Sequence, residues 1–217
     1  MNQLKIKICG LTRVEDVKGA VAAGVDAIGF VFTASPRLVS AQQAEKLSRY
    51  VPADVLRVGL FLNQTRDEIT EVLSVMKPDI LQFHGSENEQ FCKGFGIPYL
   101  KAVVMKDEYS VAQAERDYPS AAGLLLDSHE VDKPGGSGKA FDWSLSRAQN
   151  KQIWLAGGLN AENVSAAIRT VKPYAIDVSS GVEASPGLKD LNRMNAFVLA
   201  ARKAAKQMYR ERESSDK

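Results

Sequence analysis

The chain has 217 residues and a formal net charge of +2, with acids and bases interspersed along it. That length supports one large core, the mixed charge offers no basic face to nucleic acid, and no run approaches the ~20 apolar residues of a membrane span or forms a signal segment. Two cysteines, Cys9 and Cys92, are too few for a disulfide framework, so reduced thiols and a cytoplasmic setting are expected.

Short β-prone runs alternate with helical periodicity from end to end. The first strand, Leu4–Ile8, leads directly into Cys9 and Gly10, and a helix is predicted over Val14–Ala23. Ala27–Phe32, Leu56–Leu60, Ile80–His84, Tyr99–Val104, Gly123–Leu126, Ile153–Leu155 and Ala175–Val178 complete a set of eight strands. The intervening helices are expected over Ala41–Tyr50, Arg66–Met76, Tyr109–Tyr118, Glu162–Thr170 and Leu191–Tyr209, with shorter helical stretches at Glu87–Phe95 and Trp143–Asn150. Thr65 with Glu68 forms a capping-box pattern, and Asn160 is a candidate cap for the helix containing Asn163–Ile168.

The strands are apolar on both faces, as parallel strands under helices must be. Eight β–α alternations without a break in composition point to an α/β chain folded as a single-domain (β/α)8 TIM barrel over residues 1–217, with 210–217 as a flexible tail. An open doubly wound sheet is the rival, though it usually has fewer strands.

In a barrel of this kind the chemistry sits where the strands end. Those positions hold Cys9, Ser35-Pro36-Arg37, Asn63, His84-Gly85, Lys101 or Val104, Asp127, Ala156-Gly157-Gly158 and Ser179-Ser180-Gly181. The glycine-bearing turns after the seventh and eighth strands stand where barrel enzymes hold phosphate on backbone N–H groups. Gly135-Gly136-Ser137-Gly138-Lys139 looks like a P-loop, but Lys133 and Ala140 occupy positions that motif reserves for glycine and a hydroxyl residue. It is read as a flap able to close over substrate.

Cys9 is a candidate base. That role requires a thiolate, so its pKa is expected to be lowered by a neighbouring cation or helix dipole. Asp127, after the apolar Leu124-Leu125-Leu126, is a candidate acid whose burial would hold its proton. Arg37 is suited to a substrate carboxylate, and His84 either polarises substrate or bonds to backbone. Asp127-Ser128-His129 is too local for triad geometry. Cys92 reads as a core residue. With His129 the only other histidine, and no Gly-x-Gly-x-x-Gly after a strand, neither a metal nor a cofactor is expected.

Lys7-Ile8-Cys9-Gly10-Leu11-Thr12, Gly29-Phe30-Val31-Phe32 with Ser35-Pro36-Arg37, and Gln82-Phe83-His84-Gly85 resemble phosphoribosylanthranilate isomerase. So do Leu125-Leu126-Asp127-Ser128, Phe141-Asp142-Trp143, Leu155-Ala156-Gly157-Gly158-Leu159, and Asp177-Val178-Ser179-Ser180-Gly181-Val182-Glu183. The resemblance covers nearly the whole chain. It implies an Amadori rearrangement of N-(5'-phosphoribosyl)anthranilate in tryptophan biosynthesis, without cofactor, on a phosphorylated small molecule.

By the family pattern Asp127 is the general acid and Cys9 the general base. Arg37 holds the anthranilate carboxylate, the Gly157-Gly158 and Ser180-Gly181 turns hold phosphate, and Asp177 and His84 lie near the substrate. Two departures stand out. The loop from Phe32 to Arg37 is one residue shorter than usual, which bears on the reach of Arg37, and Phe83 replaces a smaller aliphatic residue, which should alter packing only. Rival readings are another phosphate-binding barrel, such as indole-glycerol-phosphate synthase or a pentose-phosphate epimerase, and a phosphosugar-binding regulator without chemistry. The synthase would need a catalytic lysine and the epimerase metal ligands. Monomer and homodimer both fit the length and charge.

Overall fold

The computed structural model describes residues 4–105, 107, 109–127, 142–145 and 150–215. Eight parallel strands, β1 (Lys5–Cys9), β2 (Ala27–Val31), β3 (Leu56–Phe61), β4 (Ile80–Phe83), β5 (Tyr99–Val104), β6 (Gly123–Asp127), β7 (Gln152–Leu155) and β8 (Ala175–Val178), pair in sequence order. The sheet closes when β1 pairs with β8, Lys7 opposite Asp177. The expected strands are therefore all present, with ends displaced by one residue at most, as the apolar runs bounded by turn residues require.

Around the barrel lie α1 (Val14–Ala23), α2 (Ala41–Ser48), α3 (Arg66–Val75), α4 (Glu89–Lys93), α5 (Ser110–Asp117), α6 (Val164–Val171) and α7 (Leu191–Ser215). The Thr65–Glu68 capping box starts α3, and Ser40 with Gln43 makes another at α2. Asn160 acts one turn early. Its side chain accepts from the N–H groups of Glu162 and Asn163, shaping the turn that precedes α6. Within the expected Trp143–Asn150 helix, the described residues form a 3₁₀ turn over Trp143–Leu145. Helix α7 continues through the segment expected to fray, as far as Ser215, with an i,i+4 bond from Gln207 to Glu211. The flap reading falls on Gly135–Lys139, outside the described residues.

Strand periodicity divides the apolar side chains into two cores. Ala27, Val58, Leu100, Leu125, Trp154 and Ala175 fill the barrel interior. Their outward-facing neighbours, such as Ile6, Ile8, Ile28, Leu124 and Ile176, join the helices in a larger core between sheet and helix layer. Phe83 packs in that outer layer against the rings of Phe61, Phe91, Phe95 and Tyr99. The interior core stops short of the strands' C-terminal ends, where side chains turn polar.

The opposite end of the barrel is tied by α7. Arg202 donates to the carbonyls of Leu4 and Gly24 at 2.6 and 2.8 Å and pairs with Asp26 at 2.6 Å. Asp26 in turn accepts from the Ile6 N–H and meets Lys5. Met194, Phe197 and Ala201 are fully buried on α7, which packs against α1 and α6. Phe197→Ala should therefore lower unfolding stability by about 3–5 kcal/mol, measured as a shift in urea midpoint at constant m.

Candidate active site

The inward positions at the upper end of the strands carry chemistry instead of packing. On β1, Lys7 and Cys9 are two residues apart and so share the inner face. Gly29 on β2 leaves room for them: a Cβ there would lie 2.6 Å from the Cys9 sulfur and 3.1 Å from Lys7 Nζ. Gln82 and His84 follow the same two-residue spacing at β4, Asp127 ends β6, and Asp177 is on β8.

Cys9, Arg37, Gln82, His84, Asp127, Gly157, Gly158, Asp177 and Ser180 line a single cleft at this face. Gly181 stands behind it. A Cβ at that position would meet the Leu159 carbonyl oxygen at 1.9 Å, so the loops after β7 and β8 touch through a residue that must lack a side chain. Asn63 and Lys101 are strand-tip candidates that do not join the cleft. Asn63 bonds to Ser86, and Lys101 pairs with Glu87 at 2.9 Å beneath the loop after β4.

A continuous polar chain crosses the floor of the cleft. Lys7, with no solvent exposure, donates to Asp177 Oδ2 at 2.7 Å and to Gln82 Oε1 at 3.1 Å. Gln82 Nε2 lies 3.1 Å from His84 Nδ1, and His84 Nε2 lies 3.5 Å from Asp127 Oδ2. The second Asp177 oxygen, Oδ1, is buried and meets no donor among the described residues. Burial works against the Lys7 charge, but Asp177 and Cys9 together outweigh it, and its pKa is raised. Lys7 is therefore a fixed ammonium beside the thiol.

Above the chain sit the turns. Gly157 and Gly158 both take positive φ, 79° and 64°, a conformation that glycine adopts without a Cβ clash. Asn163 secures this turn by donating to the Gly158 carbonyl at 2.8 Å. Across the β8–β1 seam, Ser179 donates to the Cys9 carbonyl at 3.1 Å.

A thiol, a buried carboxyl and a two-glycine turn thus meet at one barrel mouth. Residues 6–200 match the family model described as N-(5'-phosphoribosyl)anthranilate (PRA) isomerase. The chain is 52% identical over 204 residues to the N-(5'-phosphoribosyl)anthranilate isomerase of Pseudomonas paraeruginosa, covering 93% of this chain and 97% of that protein. The crystal structure of phosphoribosyl anthranilate isomerase from Thermotoga maritima is 40% identical with a TM-score of 0.83, over 92% of this chain and 99% of that one. A phosphoribosyl anthranilate isomerase solved in complex with reduced 1-(o-carboxyphenylamino)-1-deoxyribulose 5-phosphate is 37% identical with a TM-score of 0.78, over the same shares.

The chain belongs to the N-(5'-phosphoribosyl)anthranilate isomerase family. Within that family frame, a short hairpin after β8 supplies residues that strand-tip reasoning does not reach. It is formed by β9 (Glu183–Ser185) and β10 (Leu188–Lys189), antiparallel to each other. Arg37 reaches the cleft, but its guanidinium is not waiting open for a carboxylate. Nε and Nη2 donate to the two Glu183 oxygens at 2.7 and 2.8 Å, and Lys189 meets the same carboxylate at 2.8 Å. Burial would raise the Glu183 pKa, but Arg37 and Lys189 overcome it and hold the carboxylate ionised. Lys7 and Gln82 are the other two omissions. Both lie two residues before a strand-tip candidate, so the strand period was the signal available for them.

The isomerase fold also corrects the expected state of Cys9. Burial raises the pKa of this thiol, and Lys7, though it lowers it, does not prevail. The neighbouring cation is present as expected, yet with only 5% of the residue exposed, desolvation is the stronger effect. Cys9 rests as a thiol. Cys92 is likewise pushed up by burial, to about 12. Iodoacetamide labelling of the free protein should be slow at about pH 7, accelerate toward about pH 9, and map to Cys9 by mass spectrometry. A labelling rate that is flat across this range contradicts a buried protonated thiol.

Proposed function

We propose that Cys9 and Asp127 carry the proton transfers of an Amadori rearrangement that converts N-(5'-phosphoribosyl)anthranilate to 1-(2-carboxyphenylamino)-1-deoxyribulose 5-phosphate in tryptophan biosynthesis. The observation that carries this reading is the single cleft lined by both groups together with the Gly157-Gly158 turn. Asp127, as a carboxylic acid, gives its proton to the ring oxygen while the bond from that oxygen to C1 breaks. The nitrogen lone pair forms the C1 iminium. Cys9, its thiol proton having passed to solvent in the substrate complex, takes the C2 proton as a thiolate and is a thiol again. The released electron pair makes the C1–C2 double bond and neutralises the iminium, and Asp127 is re-protonated from solvent at the end of the cycle. Loss of the C2 hydroxyl proton and return of a proton to C1 gives the ketone. The sum is an isomerisation: every proton removed is restored and no electrons enter or leave.

The remaining residues bind and orient. The Gly157-Gly158 turn and the Ser180-Gly181 turn hold the phosphate at the family's position after the seventh and eighth strands. Asp177 Oδ1, buried without a donor among the described residues, is suited to accept from a sugar hydroxyl. Arg37 faces the substrate carboxylate with its plane locked by Glu183, which engages Nε and Nη2 and so fixes the rotamer before substrate arrives. Lys7 stabilises the thiolate only as it forms, which is where the stabilisation accelerates the reaction. His84 contacts Asp127 from the side. In the same reading the chain works in the cytoplasm as one barrel domain, either monomer or homodimer.

Cys9→Ala and Asp127→Ala should each lower turnover by at least ~10²-fold while a substrate analogue still binds, followed as the change in anthranilate fluorescence. Turnover at the parent rate in either variant removes that residue's role. Arg37→Ala should raise KM more than it lowers kcat, because a carboxylate distant from the reacting carbons is held equally in ground and transition states. An unchanged KM discards the carboxylate anchor.

A further inference from the structure

The polar chain across the cleft floor has a direction. An ammonium can only donate, so Lys7 fixes the end of the Gln82 side chain that faces it as the carbonyl oxygen, 3.1 Å away. The other end is then the amide NH₂, and it points at His84 Nδ1 from 3.1 Å. A proton on Nδ1 would set two donors against each other. His84 is therefore held with a lone pair on Nδ1 and its single proton on Nε2, the nitrogen 3.5 Å from Asp127 Oδ2.

We infer that Gln82 is a positioning residue: oriented by Lys7, it keeps His84 neutral with its proton on Nε2, aimed at the catalytic carboxyl. The role rests on Asp127 being the acid. Once Asp127 has given up its proton, the Nε2–H group is already in place to bond the carboxylate that remains. An imidazolium at the same point would compete with Asp127 as proton donor. The charged groups around the ring frame this balance. Asp127 on β6 favours a charged ring, the Lys7–Asp177 pair from β1 and β8 stands behind Gln82, and the Lys101–Glu87 pair lies beside Gly85. Among the described residues, the Gln82 amide is the group that opposes a second ring proton through a direct contact at Nδ1.

The test is a two-bond ¹H–¹⁵N correlation spectrum of protein labelled with ¹⁵N-histidine. The sequence has two histidines, so His129→Gln assigns both signals. At about pH 7 the parent should give the neutral Nε2–H pattern for His84. Gln82→Glu keeps the shape but turns the group facing Nδ1 into an acceptor, and should move His84 to the Nδ1–H or imidazolium pattern. Gln82→Met, an apolar replacement of similar length, should let the imidazolium pattern grow in.

Both variants should lose about tenfold or more in kcat with KM changed less than about threefold, the signature of a loss confined to the transition state. A parent His84 that is charged or carries its proton on Nδ1 overturns the inference. So does an unaltered Nε2–H pattern in the two variants. The spectrum reads Gln82 directly while the Asp127→Ala assay reads the acid, so either assignment can fail without the other.

Discussion

The site depends on one buried ammonium. Lys7 stands in a barrel interior that is apolar below it, and a lone charge there would be strongly disfavoured by loss of hydration. It is tolerated because three groups share it: Asp177 and Gln82 by direct bonds, and Cys9 through its thiol. Each of those groups is in turn fixed by the lysine. Asp177 is left with one oxygen committed and one that meets no donor among the described residues. Gln82 is left with only one way round. Cys9 is left beside a cation that favours its anion against the effect of burial. Removing one partner from such an arrangement costs more than the partner's own bonds, because the charge left behind is buried and unmatched.

The hairpin repeats this logic at the rim. Glu183 serves Arg37 and Lys189 at once, so two cations are held by one carboxylate close to the mouth of the cleft. Burial lowers the pKa of Lys189 even with Glu183 beside it, whereas the bond to Glu183 raises that of Arg37. A rigid guanidinium binds a substrate carboxylate at smaller entropic cost than a mobile one, because its rotamer is already chosen. The short loop from Phe32 to Arg37 is compatible with this, since the arginine is steadied by a partner 146 positions away and not by the loop alone.

How much of this was written plainly in the sequence follows from the range of each interaction. Strands announce themselves through local apolar runs, and their tips through the glycines and polar residues that follow, so Cys9, His84, Asp127, Gly157 and Ser180 are legible one element at a time. Thr65 with Glu68 is legible for the same reason. Lys7 is legible only as a residue on the same strand face as Cys9; its burial and its bonds are not, because a lysine in a strand ordinarily reads as solvent-facing and its partners lie 75 and 170 positions away. The β9–β10 hairpin escapes because strands of three and two residues have no periodicity to detect. The Cys9 pKa misleads for a subtler reason. The neighbouring cation can be anticipated from the two-residue strand period, but the degree of burial that outweighs it is a property of the closed barrel.

A thiol raised by burial is compatible with the proposed role of Cys9 as a base. A permanently ionised Cys9 would be a weaker base, since proton affinity falls with pKa, and it would be stabilised equally before and during the reaction. A thiol whose charge is disfavoured in the resting cleft gains most from Lys7 at the moment an iminium forms in front of it, because that cation adds to the field of the ammonium behind. The same field withdraws as the iminium is neutralised, which raises the proton affinity of the sulfur again and lets it hold the proton it has taken. Desolvation and a fixed counter-charge pull in opposite directions on one atom, and in the proposed mechanism that balance makes the basicity of Cys9 follow the charge of the substrate.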